Sequence, residues 1–278
     1  MHEQTRRDAV WTFVTYVFLL VMVAVTLVPF YWMVVAATLP QSEFIQFPPQ
    51  FVPGGEFRSN LRALQDRLNF LRSIWNSVFV AGVYTLLSLV LCSMAGFAFA
   101  KYEFRYKEPL FYAILSTLIL PIQLLVIPLF LLMSQFDWVN TFRAIILPWA
   151  ANPIGIFLMR QNMQSIPDAL LESARMDGAT EFQLYYRIAV PTMKSGLAAL
   201  AIILFLFQWN LFLYPLVILN DESVYTIPVA LAQLVGFQRV YFDQIMVAAT
   251  LSVVPIFLLF LVLQRQFVSG ILAGSLKE

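Results

Sequence analysis

The sequence predicts an all-α integral membrane protein of six transmembrane helices, with a bent two-helix arm in water between the fourth and fifth. Three observations predict it. Hydrophobic residues are 60% of the chain and charged residues 12%, against roughly 45–50% and 25% in soluble domains. A soluble fold of 278 residues has too little interior for that much apolar surface, so the bilayer is part of its solvent. The charges are also segregated: residues 9–42, 73–100, 109–136, 195–220 and 244–264 contain no Asp, Glu, Lys or Arg. Finally, residues 170–191, LLESARMDGATEFQLYYRIAVP, form a charged, helix-prone island in an otherwise oily chain.

Each uncharged run exceeds the roughly 20 residues that cross about 30 Å of hydrocarbon. The first span, about 10–37, is longer than the roughly 7–15-residue core of a signal peptide, which predicts an uncleaved anchor. The loop after it carries Pro48, Pro49, Pro53, Gly54 and Gly55, which read as turns. Leu61, Leu64, Leu68 and Leu71 then recur at helical spacing, predicting a short helix over 60–73 on the outer membrane surface. Spans follow at about 74–99 and 109–133. The fourth, about 138–160, is interrupted by Arg143 near its start, where a long side chain can snorkel, and Pro148, Pro153 and Gly155 predict a kink. After the arm, about 166–190, come spans at about 195–219 and 244–264, separated by a loop over 220–243 with Asp221, Glu222, Pro228, Gly236 and Asp243. There is no low-complexity linker or internal repeat, so residues 1–278 read as one membrane domain.

An even number of spans puts both termini on one side. With that side cytoplasmic, it holds eleven of the seventeen basic residues: Arg6, Arg7, Lys101, Arg105, Lys107, Arg160, Arg175, Arg187, Lys194, Arg265 and Lys277. Arg58, Arg62, Arg67, Arg72, Arg143 and Arg239 fall outside, four of them in the long first loop. The remaining loops follow the positive-inside rule, which places the arm in the cytoplasm.

Within the arm, Ser165 and Asp168 have capping-box spacing and Pro167 suits a first helical turn. A helix over about 166–176 would end at Asp177-Gly178, with glycine supplying the left-handed cap. Thr180 and Gln183 repeat the capping-box spacing, so a second helix runs towards Val190, and Pro191 marks the entry to the next span. Glu172 and Arg175, three apart, share a face and are free to meet a partner. A plain solvated loop is the competing reading.

Several chemistries are excluded. No lysine follows a glycine, so the Gly-Lys-Ser/Thr phosphate loop is missing. His2 is the sole histidine and Cys92 the sole cysteine, which leaves no Ser-His pair, His-rich metal site or internal disulfide. A net charge of +1 gives no case for nucleic acid.

The arm resembles the cytoplasmic signature of the permease subunits of bacterial ATP-binding-cassette importers, in the carbohydrate branch that includes the maltose permeases. The signature Glu-Ala-Ala, Asp-Gly-Ala and Ile-x-Leu-Pro stands here as Glu172-Ser173-Ala174, Asp177-Gly178-Ala179 and Ile188-Ala189-Val190-Pro191, with Ser173 and Val190 as conservative departures. Asn76-Ser77, Phe97-Ala98-Phe99-Ala100, Trp209-Asn210 and the ending 267–277 are similar to the same branch. The resemblance implies a non-catalytic subunit of an inner-membrane importer of a sugar-like solute. It implies a related second permease, two copies of a cytoplasmic ATPase that binds the ATP, and an external solute-binding protein; no cofactor is expected in this chain itself. Glu172, Ala174, Arg175, Asp177, Gly178, Ala179 and Pro191 would form the ATPase-coupling arm, and the 220–243 loop would reach into the binding protein. A secondary transporter is the alternative, but it wants ionisable groups inside the spans, where only Arg143 intrudes.

A solute path is sought among intramembrane polar groups, each costly unless it faces protein or water. Asn76, Gln123, Asn152, Gln208 and Asn210 are the amides, which both donate and accept hydrogen bonds. Trp209 and Tyr214 could stack on a sugar ring. For each amide, a role in gluing helices together competes with the path reading.

Overall fold

The computed structural model describes residues 2–235 and 240–275. Regular structure among them is helical, apart from one isolated antiparallel bridge between Val235 and Val240. Gly236, Arg239 and Lys277, read above as loop and tail positions, lie outside the described residues. In chain order the helices are α1 (His2–Ala36), α2 (Phe57–Arg67), α3 (Phe70–Lys101), α4 (Lys107–Ser116), α5 (Ile122–Gln135), α6 (Phe142–Ile146) and α7 (Pro153–Gln164). Then follow α8 (Asp168–Met176), α9 (Glu181–Gln183), α10 (Val190–Thr192), α11 (Lys194–Trp209), α12 (Leu213–Ile218), α13 (Ile227–Gln233) and α14 (Phe242–Ser275).

Three helices are long and apolar enough to cross a bilayer: Trp11–Ala36, Phe70–Lys101 and Phe242–Val262. Three bent pairs bring the number of apolar spans to as many as six. The fold is therefore all-α and multi-pass. The third uncharged run is not one rod: α4 with its 3₁₀ turn and α5 meet at 102°. Pro121 is the cause, because it has no N–H to donate and forces Leu120 out of the helical region, to ψ 119°. The fourth run bends by 43° between Trp149 and Pro153, where the prolines predict a kink. The fifth is divided too, with α11 ending at Trp209 and α12 starting at Leu213.

The described residues form two compact units. The first comprises the chain up to Leu68 together with Gln233–Val253. Here the long loop folds back on the end of α1: the Asn60 side chain donates to the carbonyls of Ala37 (3.1 Å) and Leu39 (2.9 Å), and Gly54 N–H donates to Thr38 Oγ1 at 2.8 Å. Leu64 and Leu68 are buried, so part of the apolar stripe of α2 is used inside the protein rather than on a membrane surface. Arg67 donates to Gln244 Oε1 at 3.0 Å and lies 3.7 Å from the Tyr241 ring centre. The apolar part of α1 buries almost nothing, which suits a lipid-facing anchor.

The second unit, Asn69–Ala232 with the chain from Val254, holds the larger core. Its spine is α3 packed on α7 through small residues, the membrane device that lets helix backbones approach closely. A Cβ on Gly96 would sit 2.8 Å from Arg160 N, and one on Gly155 would sit 2.7 Å from Cys92 Sγ. Tyr84, Cys92, Ile145, Met159, Leu200, Leu204 and Tyr214 complete the core. Asn76 donates to the carbonyls of Ser223 (2.9 Å) and Tyr225 (3.0 Å), and Ser77 Oγ accepts from Ile227 N–H at 2.7 Å. This pair thereby anchors the 220–227 stretch to the start of α3.

Arg160 joins α7 to α4. Its guanidinium forks onto Glu108, with Nη1 donating to Oε2 at 3.2 Å and Nη2 to Oε1, and lies 4.0 Å from the Phe111 ring centre. Arg160 is buried and Glu108 half-exposed. Arg160→Met leaves that carboxylate unpaired beside apolar neighbours. We expect a loss of about 1–3 kcal/mol, below the range for fully buried broken pairs because water still reaches Glu108. A lowered thermal midpoint of the detergent-purified protein checks it.

Candidate functional site

The caps expected at Gly178 and Thr180 within residues 166–190 are formed, with two differences elsewhere in the stretch. Gly178 takes φ +84°, which non-glycine residues rarely adopt. Its N–H donates to Arg175 O and that of Ala179 to Ala174 O, both at 3.0 Å, the paired bonds of a Schellman cap. Thr180 and Gln183 form a reciprocal capping box, with Thr180 N–H donating to Gln183 Oε1 at 2.8 Å and Gln183 N–H to Thr180 Oγ1 at 3.3 Å. Beyond it, α9, a π-helical turn over Leu184–Ala189 and α10 carry the chain through Pro191 to an 82° bend into α11.

The first difference is at the start of α8. Its N-cap is Pro167, which makes no side-chain cap; Ser165 Oγ instead donates to Asn162 O at 2.7 Å. Asp168 is drawn to Lys101 at 2.7 Å. The second concerns Arg175, which is not free: Nε donates to Glu181 Oε1 at 3.0 Å and Nη2 to Oε2 at 3.2 Å, across the Gly178 bend. Glu172 and Asp177 are exposed, while Ala174 and Ala179 pack against the cluster of Phe97, Met163, Ile166, Leu171, Leu184, Ala189 and Met193.

Electrostatics follow these contacts. Hydrogen bonding to Lys101 holds Asp168 below the usual carboxylate range, and Arg175, with help from Tyr102, does the same for Glu181. The carboxylates thus stay ionised and paired at neutral pH, and the pairing is lost only as pH falls through their depressed pKa values. The Tyr102 phenol is pushed up to about 12, first by burial and then by its bond to Glu181, so it remains an O–H donor. Lys101, Tyr102 and Glu181 were not among the candidates read from sequence. The available signal was a lone cationic residue closing a 28-residue uncharged run over 73–100.

The path candidates separate into four kinds. Gln208 and Tyr214 are buried and hold α6: Gln208 Nε2 donates to Ile145 O at 3.2 Å and Tyr214 Oη to Ala144 O at 3.0 Å. Gln123, in the first turn of α5, and Asn210, at the end of α11, are exposed, and Asn210 Nδ2 donates to Leu206 O at 2.8 Å. Trp209 is buried and stacks on Phe205. Asn152 caps α7, accepting from Gly155 N–H at 3.1 Å and donating to Tyr84 Oη at 3.2 Å.

Asn152 also borders a cavity of about 340 Å³ between the two span breaks at Pro121 and Asn152. Trp149, Phe207, Thr117, Leu125 and Ile154 line it, and none of its lining residues is charged. Trp149 is held edge-on to Tyr214 at 5.7 Å and to Phe207 at 6.3 Å. Trp149 and Phe207 were not singled out in the sequence, since a lone aromatic in an apolar run carries no signal until neighbours surround it. Among the described residues, no three His, Cys, Asp or Glu side chains come close enough to hold a metal ion.

Comparison with known proteins agrees with this architecture. Residues 88–272 match the family model described as "Binding-protein-dependent transport system inner membrane component". The chain is 39% identical over 202 residues to the arabinooligosaccharides transport system permease protein AraQ of Halalkalibacterium halodurans, covering 73% of this chain and 72% of that one. It is 36% identical over 249 residues to the lactose transport system permease protein LacG of Rhizobium radiobacter, covering 90% of each. To the sn-glycerol-3-phosphate transport system permease protein UgpE of Pectobacterium atrosepticum it is 30% identical over 265 residues, covering 92% of this chain and 94% of that one. A chain in the crystal structure of a bacterial ABC transporter that imports alginate shares the fold, with a TM-score of 0.79 at 23% identity, over 94% of this chain and 98% of that one. With the family model matching well over half of the chain and relatives matching up to nine-tenths of it, this chain belongs to the inner-membrane components of binding-protein-dependent transport systems.

Proposed function

We propose that this chain carries a neutral sugar or sugar-like solute along a path bordered by Asn152, as half of an ATP-driven importer. As a family member it is a non-catalytic, membrane-spanning permease subunit working with an ATPase and a solute-binding protein. The finer assignment is a second homologous permease, two ATPase copies docked on residues 166–190, and an external binding protein met by the 220–243 loop. In it, residues 1–278 act as one permease domain with both termini in the cytoplasm, as the distribution of lysine and arginine favours. Glu172, Asp177 and Gly178 present the exposed side of the arm to the ATPase, while Ala174, Ala179 and Pro191 set its seat and exit; Arg175 braces the bend through Glu181.

The observation that carries the solute class is the uncharged cavity at Asn152, in a chain whose relatives are named for arabinooligosaccharides, lactose and sn-glycerol 3-phosphate. Non-helical backbone at membrane depth is tolerated where it lines a wet cavity or packs on protein, and the breaks at Pro121 and Asn152 both border this one. An indole, a phenyl ring and an amide suit a polyol, with the rings against C–H faces and the amide on hydroxyls. Tyr214 supports the cavity wall through Trp149, Gln208 holds α6, and Gln123 and Asn210 are further exposed polar positions for the path.

The test is ATP-dependent uptake by the complete complex in proteoliposomes, with labelled lactose, arabinotriose and sn-glycerol 3-phosphate offered in turn. A neutral oligosaccharide is expected to be carried. Ile154→Trp, which fills the cavity from its rim, should cut that uptake about tenfold with assembly intact. Selective uptake of the phosphate ester, or an Ile154→Trp complex as active as wild type, would show the assignment to be wrong.

A further inference from the structure

We propose that Lys101 and Tyr102, consecutive at the end of α3, clasp both halves of the arm and make α3 move with it as one body. The inference deepens the coupling role given to residues 166–190 and rests on that reading. Lys101 holds the first half: its Nζ donates to Ile166 O at 2.6 Å and to Asp168 at 2.7 Å, with the lysine side chain only 4% exposed. Tyr102 holds the second half: its Oη donates to Glu181, the residue that also receives the Arg175 fork. One residue therefore binds ahead of the Gly178 bend and the next binds behind it.

A row of contacts one and two turns earlier on α3 points the same way. Phe97 meets the Tyr102 ring edge-on at 5.6 Å and the Tyr185 ring at 5.8 Å. Ser93 and Tyr185 share a hydroxyl hydrogen bond of 2.7 Å. The chain enters the arm from α7 and leaves it into α11, so neither connection joins the arm covalently to α3. The clasp supplies that third attachment. It joins the arm to the helix that packs most closely on α7, so arm and spine cannot tilt independently without breaking charge-assisted bonds. Lys101 and Tyr102 are positioning residues, since neither faces the cavity at Asn152.

The experiment measures a distance inside this chain in the assembled complex. Spin labels are placed at Leu170→Cys on α8 and Leu86→Cys on α3, both exposed positions, while Cys92 is fully buried and left in place. With the clasp intact, the mean distance should be the same in nucleotide-free and vanadate-trapped complexes. In the Lys101→Met/Tyr102→Phe double variant, it should differ between the two states, and lactose taken up per ATP hydrolysed should fall about tenfold while hydrolysis continues. Lys101→Arg, which keeps the charge, should restore most of the ratio. A distance that changes with nucleotide in the intact protein overturns the clasp, as does one that stays fixed in the double variant. A merely structural role would lower assembly and hydrolysis together and leave the distance fixed. The arm reading fails separately, if substitutions at Glu172 and Gly178 leave coupling unchanged.

Discussion

Gly96→Leu should abolish accumulation of folded protein in the membrane, and Gly96→Ala should already lower its thermal midpoint. At this position α3 and α7 meet backbone to backbone: an added Cβ would fall 2.8 Å from both Arg160 N and Met159 C, and closer still to Met159 Cβ. Those atoms belong to a neighbouring helix and cannot rotate away, so the two helices must separate. Overpacking a tight core costs about 1–3 kcal/mol, occasionally more, and separation here would also strip contacts from Cys92 and Gly155 on the same seam. Gly82, on the same helix, supplies the control, because a Cβ there meets nothing within 4 Å. Gly82→Ala should be neutral or slightly stabilising, by up to about 1 kcal/mol from helix propensity. Size-exclusion yield and thermal melting of the four proteins, wild type included, make the comparison. Equal behaviour of the Gly96 and Gly82 substitutions would rule out the close seam.

Gly178→Leu should uncouple ATP hydrolysis from uptake by about tenfold while the protein still assembles in the membrane. No atom lies where its Cβ would go, so the effect is purely conformational. A leucine at φ +84° is strained by about 1–2 kcal/mol, enough to shift a balance between arm geometries by about tenfold. Asparagine enters this region more readily, so Gly178→Asn should retain most of the coupling. Glu172→Ala removes an exposed carboxylate without touching the fold and should act in the same direction more weakly. Uptake and hydrolysis are measured side by side on the purified complex. Wild-type coupling in both Gly178→Leu and Glu172→Ala would remove the arm from the mechanism.

Much of this molecule was legible from one dimension. Apolar runs and segregated charge report the solvent each segment requires, and no tertiary contact can hide an uncharged stretch of 28 residues from that argument. The bend of the arm was legible for a similar reason, since a left-handed cap and a capping box are set by residues within five positions of each other. The 102° break at Pro121 was within reach too, but the same composition holds Pro128 inside an unbroken α5. A proline therefore marks where a helix can fail without deciding that it does.

What a polar side chain does inside the membrane was not legible. Asn76, Asn152, Gln208 and Tyr214 are alike as sequence, each a polar group in an apolar run. Folding sends Asn76 to the carbonyls of Ser223 and Tyr225, Gln208 and Tyr214 to the carbonyls of α6, and only Asn152 to the rim of a cavity. Likewise, Arg175 reaches Glu181 across the Gly178 bend, and Lys101 reaches Asp168 across 67 positions of sequence. The sequence by itself determined the all-α, multi-pass membrane class and the local caps at Gly178 and Thr180, because hydropathy and capping act over a few turns at most. Only the tertiary structure decided which partner each polar group takes, because a hydrogen bond depends on which distant carbonyl or carboxylate the packing of α3, α6 and α7 brings within about 3 Å.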